Sequence, residues 1–309
     1  MQIKEGRRYL DPQVLARLSN IKLIARSVVE GFISGLHQSP YKGFSVEFAE
    51  YREYVPGDDL KHFDWKALAR TDRRYIKQYQ EETNLKAYIL IDASASMAYS
   101  STNLTKFEYS CYLAASLSYL MTRQQDSVGL VLFDKEIRHH VPAKSSAQHL
   151  RDMLVLLEKA EPGKETGLHF PPDKCTGIAD TLHKIAEGIK KRGLIILISD
   201  LFEKQAEVLR GLQHFRHFKH EVIVFHILDH SELTFPFTGL TTFRNMESDE
   251  KMMIEPQFFR EEYIKAVTDF VSKYKKECSE QLIDYIVADT SRPFDMLLAS
   301  YLSKRVKLR

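Results

Sequence analysis

Cysteine is scarce in this chain. Cys111, Cys175 and Cys278 stand far apart among 309 residues, and no Cys-x-x-Cys pair occurs. That spacing points to neither a disulfide framework nor a zinc site, and it fits a reducing compartment. An excess of one charge is missing too: Lys and Arg number 44 against 42 Asp and Glu, a net of +2. The balance gives no general attraction to nucleic acid, and the basic end from Lys304 to Arg309 reads as a solvated helix terminus favoured by the macrodipole. Long apolar runs are absent. Stretches such as Leu194–Ile198 are far too short to span a bilayer, and Met1 to Leu10 has no apolar core like that of a signal peptide. The chain also lacks a Gly-x-x-x-x-Gly-Lys-Ser/Thr loop, so any ATP-driven work would fall to a partner. These absences lead us to expect a cytoplasmic protein.

What remains is an ordinary globular composition, 44% hydrophobic and 28% charged, on a chain long enough for one large domain or two modest ones. The sequence changes character near Glu81-Glu82-Thr83-Asn84. Beyond that point, apolar runs at Ala87–Ile91, Val128–Phe133, Leu194–Ile198 and Val222–Leu228, with a weaker one at Ile283–Ala288, alternate with helical stripes. Unbroken runs of this length suit strands buried on both faces, as in parallel sheets. The stripes include Phe107, Cys111, Ala114, Leu117 and Met121, then Ile178, Leu182, Ile185 and Ile189. Leu209, Leu212 and Phe215 form another, as do Phe259, Tyr263, Val267, Phe270 and Tyr274. Asp134-Lys135 reads as a tight turn into one antiparallel edge strand. The pattern predicts an α/β fold with an open, doubly wound, mostly parallel sheet over 85–309. Residues 1–84 read as a small α+β N-terminal subdomain, with helices at Pro12–Leu18 and Ile21–Phe32 and short strands at Phe44–Tyr51 and Tyr75–Tyr79.

Three distant segments carry oxygen ligands. Asp92-Ala93-Ser94-Ala95-Ser96 follows a buried strand, Thr176 opens a helix after a long loop, and Asp200 closes the run Leu-Ile-Ile-Leu-Ile-Ser. Taken singly, each reads as a helix cap. In a doubly wound sheet, however, the first and fourth strands are neighbours at the switch point, where ligands sit outside the carboxyl ends. Asp92 and Asp200 end those two strands. Three hydroxyls and two carboxylates are hard donors suited to Mg²⁺ or Mn²⁺, whereas a set without His or Cys does not suit zinc.

The pattern resembles the metal-ion-dependent adhesion site of von Willebrand factor A domains. The resemblance implies that Ser94, Ser96 and Thr176 bind the ion through hydroxyls and that Asp92 and Asp200 act largely through water, leaving one position for an acidic residue of a partner. A second signature narrows the family. Gly35, His37, Ser39, Gly43, Glu47, Phe48, Arg52, Tyr54, Gly57, Asp58, Asp59, Asp64, Trp65, Ala69 and Arg70 resemble a bacterial family of von Willebrand factor A-like proteins of unknown function, usually accompanied by MoxR-type AAA+ ATPases. The likeness continues through Ser199-Asp200 and Thr290-Ser291-Arg292-Pro293. Two positions depart from it: Lys61 stands where Arg is expected, and Lys174-Cys175 replace the glycines before Thr176. Many relatives carry two N-terminal membrane helices that this chain does not show.

The resemblance implies a non-enzymatic, metal-dependent protein-binding module that serves a MoxR-type ATPase or an acidic client. Asp58, Asp59, Asp64, Arg52 and Arg70 read as a charge network about Pro56-Gly57, with Trp65 as an anchor. The alternatives are a Mg²⁺-dependent hydrolase built on His37, Asp58, Asp59 and Asp64, although no His-x-Asp or His-x-x-x-His spacing starts from His37, and a homo-oligomeric scaffold. His139, His140, His214, His217 and His220 read as surface or satisfied side chains.

Overall fold

A computed structural model describes residues 20–38, 51–53, 68, 75–77, 85–161, 178–246, 250–294, 297–299 and 301. Helix α1 (Ile21–Gln38) precedes a two-stranded antiparallel ribbon, β1 (Tyr51–Glu53) with β2 (Tyr75–Lys77). The main sheet then begins with β3 (Lys86–Asp92), followed by α2 (Lys106–Arg123), β4 (Ser127–Phe133), β5 (Ile137–Lys144) and α3 (Ala147–Lys159). The second half runs α4 (Ile178–Gly188), β6 (Leu194–Ser199), α5 (Gln205–His217), β7 (Glu221–Leu228) and α6 (His230–Thr234). A hairpin, β8 (Thr241–Arg244) with β9 (Lys251–Ile254), leads to α7 (Arg260–Glu280) and β10 (Asp284–Asp289).

Across the six-stranded sheet the order is β10-β7-β6-β3-β4-β5. Every pair is parallel except β4 with β5, so the turn at Asp134-Lys135 does produce an antiparallel edge strand. From β3 the chain winds outward to β4 and β5, then returns to the other side of β3 as β6 and winds away to β7 and β10. The reversal lies between β3 and β6, where Ile91 sits opposite Ile198. This is the open doubly wound α/β fold expected from the alternation of runs and stripes.

The strands are unbroken apolar runs because both faces are covered. Ile89, Ile91, Ile196, Ile198, Ile223 and Phe225 point to one core with residues of α1, α2 and α3. Leu90, Ile195, Leu197, Val222 and Val224 alternate to the other, with residues of α4, α5 and α7. Ile21, Ile24, Ala25, Val28 and Val29 of α1 belong to the first core, and the Ile21 N–H donates to Glu158 Oε1 at 3.1 Å. At the start of β6 the backbones close tightly. A Cβ on Gly193 would lie 2.2 Å from the Lys86 carbonyl oxygen, so only glycine fits there without a shift.

One element departs from the sequence reading, and others go beyond it. The stripe from Phe259 to Tyr274 is mostly a partly exposed face of α7, with Phe259 49% exposed; the helix covers the sheet only through its later turns, where Tyr274 and Cys278 are buried. Helix α3 and the hairpin β8–β9 had no expectation. Cys111 and Cys278 are buried free thiols, while Cys175 lies outside the described residues. Among the described residues no helix is long and apolar enough to cross a membrane.

Candidate functional site

The five parallel strands end alike. Asp92, Asp134, Asp200, Asp229 and Asp289 stand at or just after the carboxyl ends of β3, β4, β6, β7 and β10. Each accepts a hydrogen bond from the backbone N–H two residues ahead: Ser94, Glu136, Phe202, Ser231 and Ser291. These Asx turns stop the strands and satisfy the first free N–H, which is reason enough for aspartate there. A strand-ending aspartate is therefore turn chemistry first. What sets Asp92 and Asp200 apart is that they flank the switch point and are almost fully buried in a cavity that also holds hydroxyls, whereas Asp134 on the same cavity is partly exposed and paired with Arg138.

That cavity, about 390 Å³, is lined by Asp92, Ser94, Ala95, Ser96, Asp134, Lys135, Ile178, Asp200, Phe202 and Glu203. Ser94 leads into a single 3-10 turn (Ala95–Ala98) that carries Ser96, and the two hydroxyls lie 3.1 Å apart. Oxygens in adjacent positions of an octahedral ion with ligands near 2.1 Å are about 3 Å apart, so the spacing of this hydrogen-bonded pair is also that of two ligands of one Mg²⁺. Asp92 and Asp200 are almost fully buried beneath them. Burial, then the neighbouring Asp200 carboxylate, pushes the Asp92 carboxyl up to about 7, against hydrogen bonds from Ser199 and Ser94 that pull it down. A buried carboxyl whose proton affinity is raised by burial and by a neighbouring carboxylate, beside paired hydroxyls, forms a set that a divalent cation would relieve.

Each carboxylate oxygen already accepts from the protein. Asp92 Oδ1 takes the Ser94 N–H at 2.9 Å, and Oδ2 takes the Ser199 hydroxyl at 2.5 Å. Asp200 Oδ2 takes the Lys106 ammonium at 2.8 Å, and Oδ1 takes the Phe202 N–H at 3.3 Å. The hydroxyls are thus the better placed direct donors and the carboxylates suit water-mediated contact. Among the described residues no group of three or more His, Cys, Asp or Glu is placed to hold a metal.

The structure brings together Asp92, Ser94, Ser96 and Asp200. Thr176 lies outside the described residues, as do Asp58, Asp59, Asp64 and Trp65, while His37 falls in the last turn of α1. His139 and His220 are buried, and the Nδ1 of His220 accepts the Gly193 N–H at 3.2 Å.

Four residues next to the site have roles that the sequence reading did not assign. Ser199 holds Asp92. Lys106, wholly buried, bridges Asp200 and Glu232 Oε1, the latter at 2.9 Å. Burial alone would lower its pKa, but the two carboxylates outweigh that and hold it above its ordinary value. His226 donates through Nε2 to the Asp200 carbonyl at 2.8 Å, so its Nδ1 accepts from the Tyr285 hydroxyl. Burial pushes this imidazole down to about 4 and keeps it neutral. Leu201, directly after Asp200, adopts a left-handed φ of 55°, a backbone strain of about 1–3 kcal/mol that the packing around it sustains. One signal for Lys106 was legible. Thr105-Lys106-Phe107-Glu108 is a capping box that puts a cation in a helix's first turn, where the macrodipole disfavours it.

Residues 50–272 match a protein-family description, and three similar proteins frame it. The "Uncharacterized protein Rv1480" of Mycobacterium tuberculosis (strain ATCC 25618 / H37Rv) is 25% identical over 238 residues, covering 77% of this chain and 72% of that protein. Among solved structures, BatB from Bacteroides thetaiotaomicron aligns with a TM-score of 0.48 at 16% identity, covering 72% of this chain and 99% of that one. The SpRpn10 VWA domain aligns with a TM-score of 0.38 at 12% identity, covering 69% and 93%. The family matched over residues 50–272 is described as "Protein of unknown function DUF58", and this chain belongs to it.

Proposed function

We propose that the chain is a non-enzymatic protein-binding module whose ligand site is a divalent cation, Mg²⁺ or Mn²⁺, held at the β3–β6 switch point by Ser94, Ser96 and Thr176, with Asp92 and Asp200 acting through water. The observation that carries this reading is the 3.1 Å pairing of the Ser94 and Ser96 hydroxyls over two buried carboxyls at the carboxyl ends of adjacent strands. A dication bound mainly by neutral hydroxyls keeps most of its charge and offers an open position to an outside carboxylate. The cavity that holds the serines, lined also by Lys135 and the half-exposed Phe202, gives that carboxylate room to bind.

The partner follows from the resemblance of residues 35–70 to proteins that accompany MoxR-type AAA+ ATPases. The chain would serve such an ATPase as adaptor, or recognise its client through an acidic residue. Co-purification of the ATPase with wild-type protein, chelated wild type and Ser96→Ala, under one salt condition, tests this. Recovery should fall at least about tenfold in the last two, since one lost charge-assisted contact is worth about a decade or more. Equal recovery in all three would remove the metal from partner binding.

A further inference from the structure

Lys106 is placed against two costs. It stands in the first turn of α2, where the helix field opposes a cation, and it is 0% exposed, which strips its ammonium of water. Its three hydrogen-bonding directions are largely committed: Asp200 Oδ2 at 2.8 Å, Glu232 Oε1 at 2.9 Å, and the Phe202 ring with its centroid 4.7 Å away. The first partner is a carboxylate of the candidate metal site and the third is on its rim. Glu232 is fixed in turn, because its Oε2 caps the Asp229 N–H at 2.7 Å at the start of α6. The ammonium therefore cannot follow Asp200 toward an ion without leaving Glu232 unpaired in the interior.

We propose that Lys106 is a built-in cation of this site: it neutralises Asp200, keeps that carboxylate from ligating the ion directly, and so holds down the affinity for the divalent metal while leaving the bound ion short of negative charge. The inference rests on the metal-binding reading above. Lys106 is a positioning residue, acting on the ion through Asp200. A merely structural cross-link between α2, β6 and α6 makes the opposite prediction, because loosening the site then weakens metal binding.

The test is calorimetric titration of MgCl₂ and MnCl₂ into the full chain, with thermal melts of each protein as a check on folding. Lys106→Met alone would leave Asp200 and Glu232 facing each other, so the main variant is the charge-balanced pair Lys106→Met with Glu232→Gln. It should bind metal at least about tenfold more tightly than wild type: the net charge is kept, but the cation held on Asp200 Oδ2 is gone, and a carboxylate freed to ligate a dication directly in a partly screened interior outweighs one decade of affinity. Glu232→Gln alone, which keeps the ammonium and commits it to Asp200, should bind several-fold more weakly. Unchanged or weaker binding by the double variant, or unchanged binding by Glu232→Gln, overturns the role of Lys106 and leaves the metal reading standing. Binding by the double variant but not by wild type supports the role of Lys106 and overturns the metal reading for the natural chain. Binding by none of the proteins overturns both.

Discussion

Ser199 Oγ donates to Asp92 Oδ2 at 2.5 Å, so the last residue of β6 clamps the last residue of β3 across the switch point. The same oxygen accepts the Leu201 N–H at 3.0 Å and thereby steadies the strained turn after Asp200. One buried hydroxyl thus sets the position of both carboxyl-bearing segments. Its donated proton also offsets part of the burial cost that raises the Asp92 carboxyl.

Ser199→Ala should therefore loosen the site from below. Removing a buried donor to a carboxyl costs roughly 1–3 kcal/mol of stability, and the turn at Leu201 loses its acceptor as well. Denaturant unfolding of the metal-free protein should register this loss, and Mg²⁺ binding should weaken several-fold beside it. An unchanged midpoint would mean that the clamp contributes nothing to the stability of the fold.

The pH dependence follows from Asp92. Folded, its carboxyl holds a proton up to about 7; unfolded, it releases it near 3.8. Between those values the folded state binds more protons, so this group's contribution to stability falls as pH rises. Asp92→Asn removes the penalty. In chelator, the variant should match wild type near pH 4 and exceed it at pH 8, by on the order of 2–4 kcal/mol. His226, neutral in the fold, titrates alike in both proteins and drops out of the difference. Saturating Mg²⁺ should stabilise wild type only and narrow the gap. A difference that does not change with pH would show that Asp92 is not held protonated.

The architecture was legible in the sequence because parallel strands buried on both faces leave apolar runs that nothing else in a chain this polar produces, and each run matches a strand of the main sheet to within a residue or two. Asp92, Ser94, Ser96 and Asp200 were legible through topology, since only the winding order makes the ends of β3 and β6 neighbours. Lys106 and Glu232 were not legible as partners of Asp200. A lysine between Thr105 and Phe107 reads as solvent-facing, and its burial depends on α6 arriving from more than a hundred residues away. The same holds for His226, which the run Val222–Leu228 absorbs as one more buried position. Aspartate at a strand end was the weakest single signal, because all five parallel strands use it for a turn.

Helix α1 belongs to the energetics of the sheet domain. Ile24 is 1% exposed and sits in the same core as Leu113 and Leu117 of α2. We expect Ile24→Ala to cost about 2–4 kcal/mol through lost burial and a cavity, with Mg²⁺ affinity unchanged because the site lies at the carboxyl ends of the strands. We also expect a fragment of residues 1–84 to show no cooperative thermal transition, since these side chains of α1 are buried against α2 and α3. A sharp transition in the fragment would establish an independent N-terminal domain.

On the reading proposed above, Asp92 helps hold one divalent cation at the β3–β6 switch point. Calorimetric titration of MgCl₂ or MnCl₂ into the purified chain, beside Asp92→Ala shown to be folded by its thermal melt, tests it most directly. One ion should bind per wild-type chain and none to Asp92→Ala. Absence of binding to wild type, or equal binding to both proteins, would contradict it.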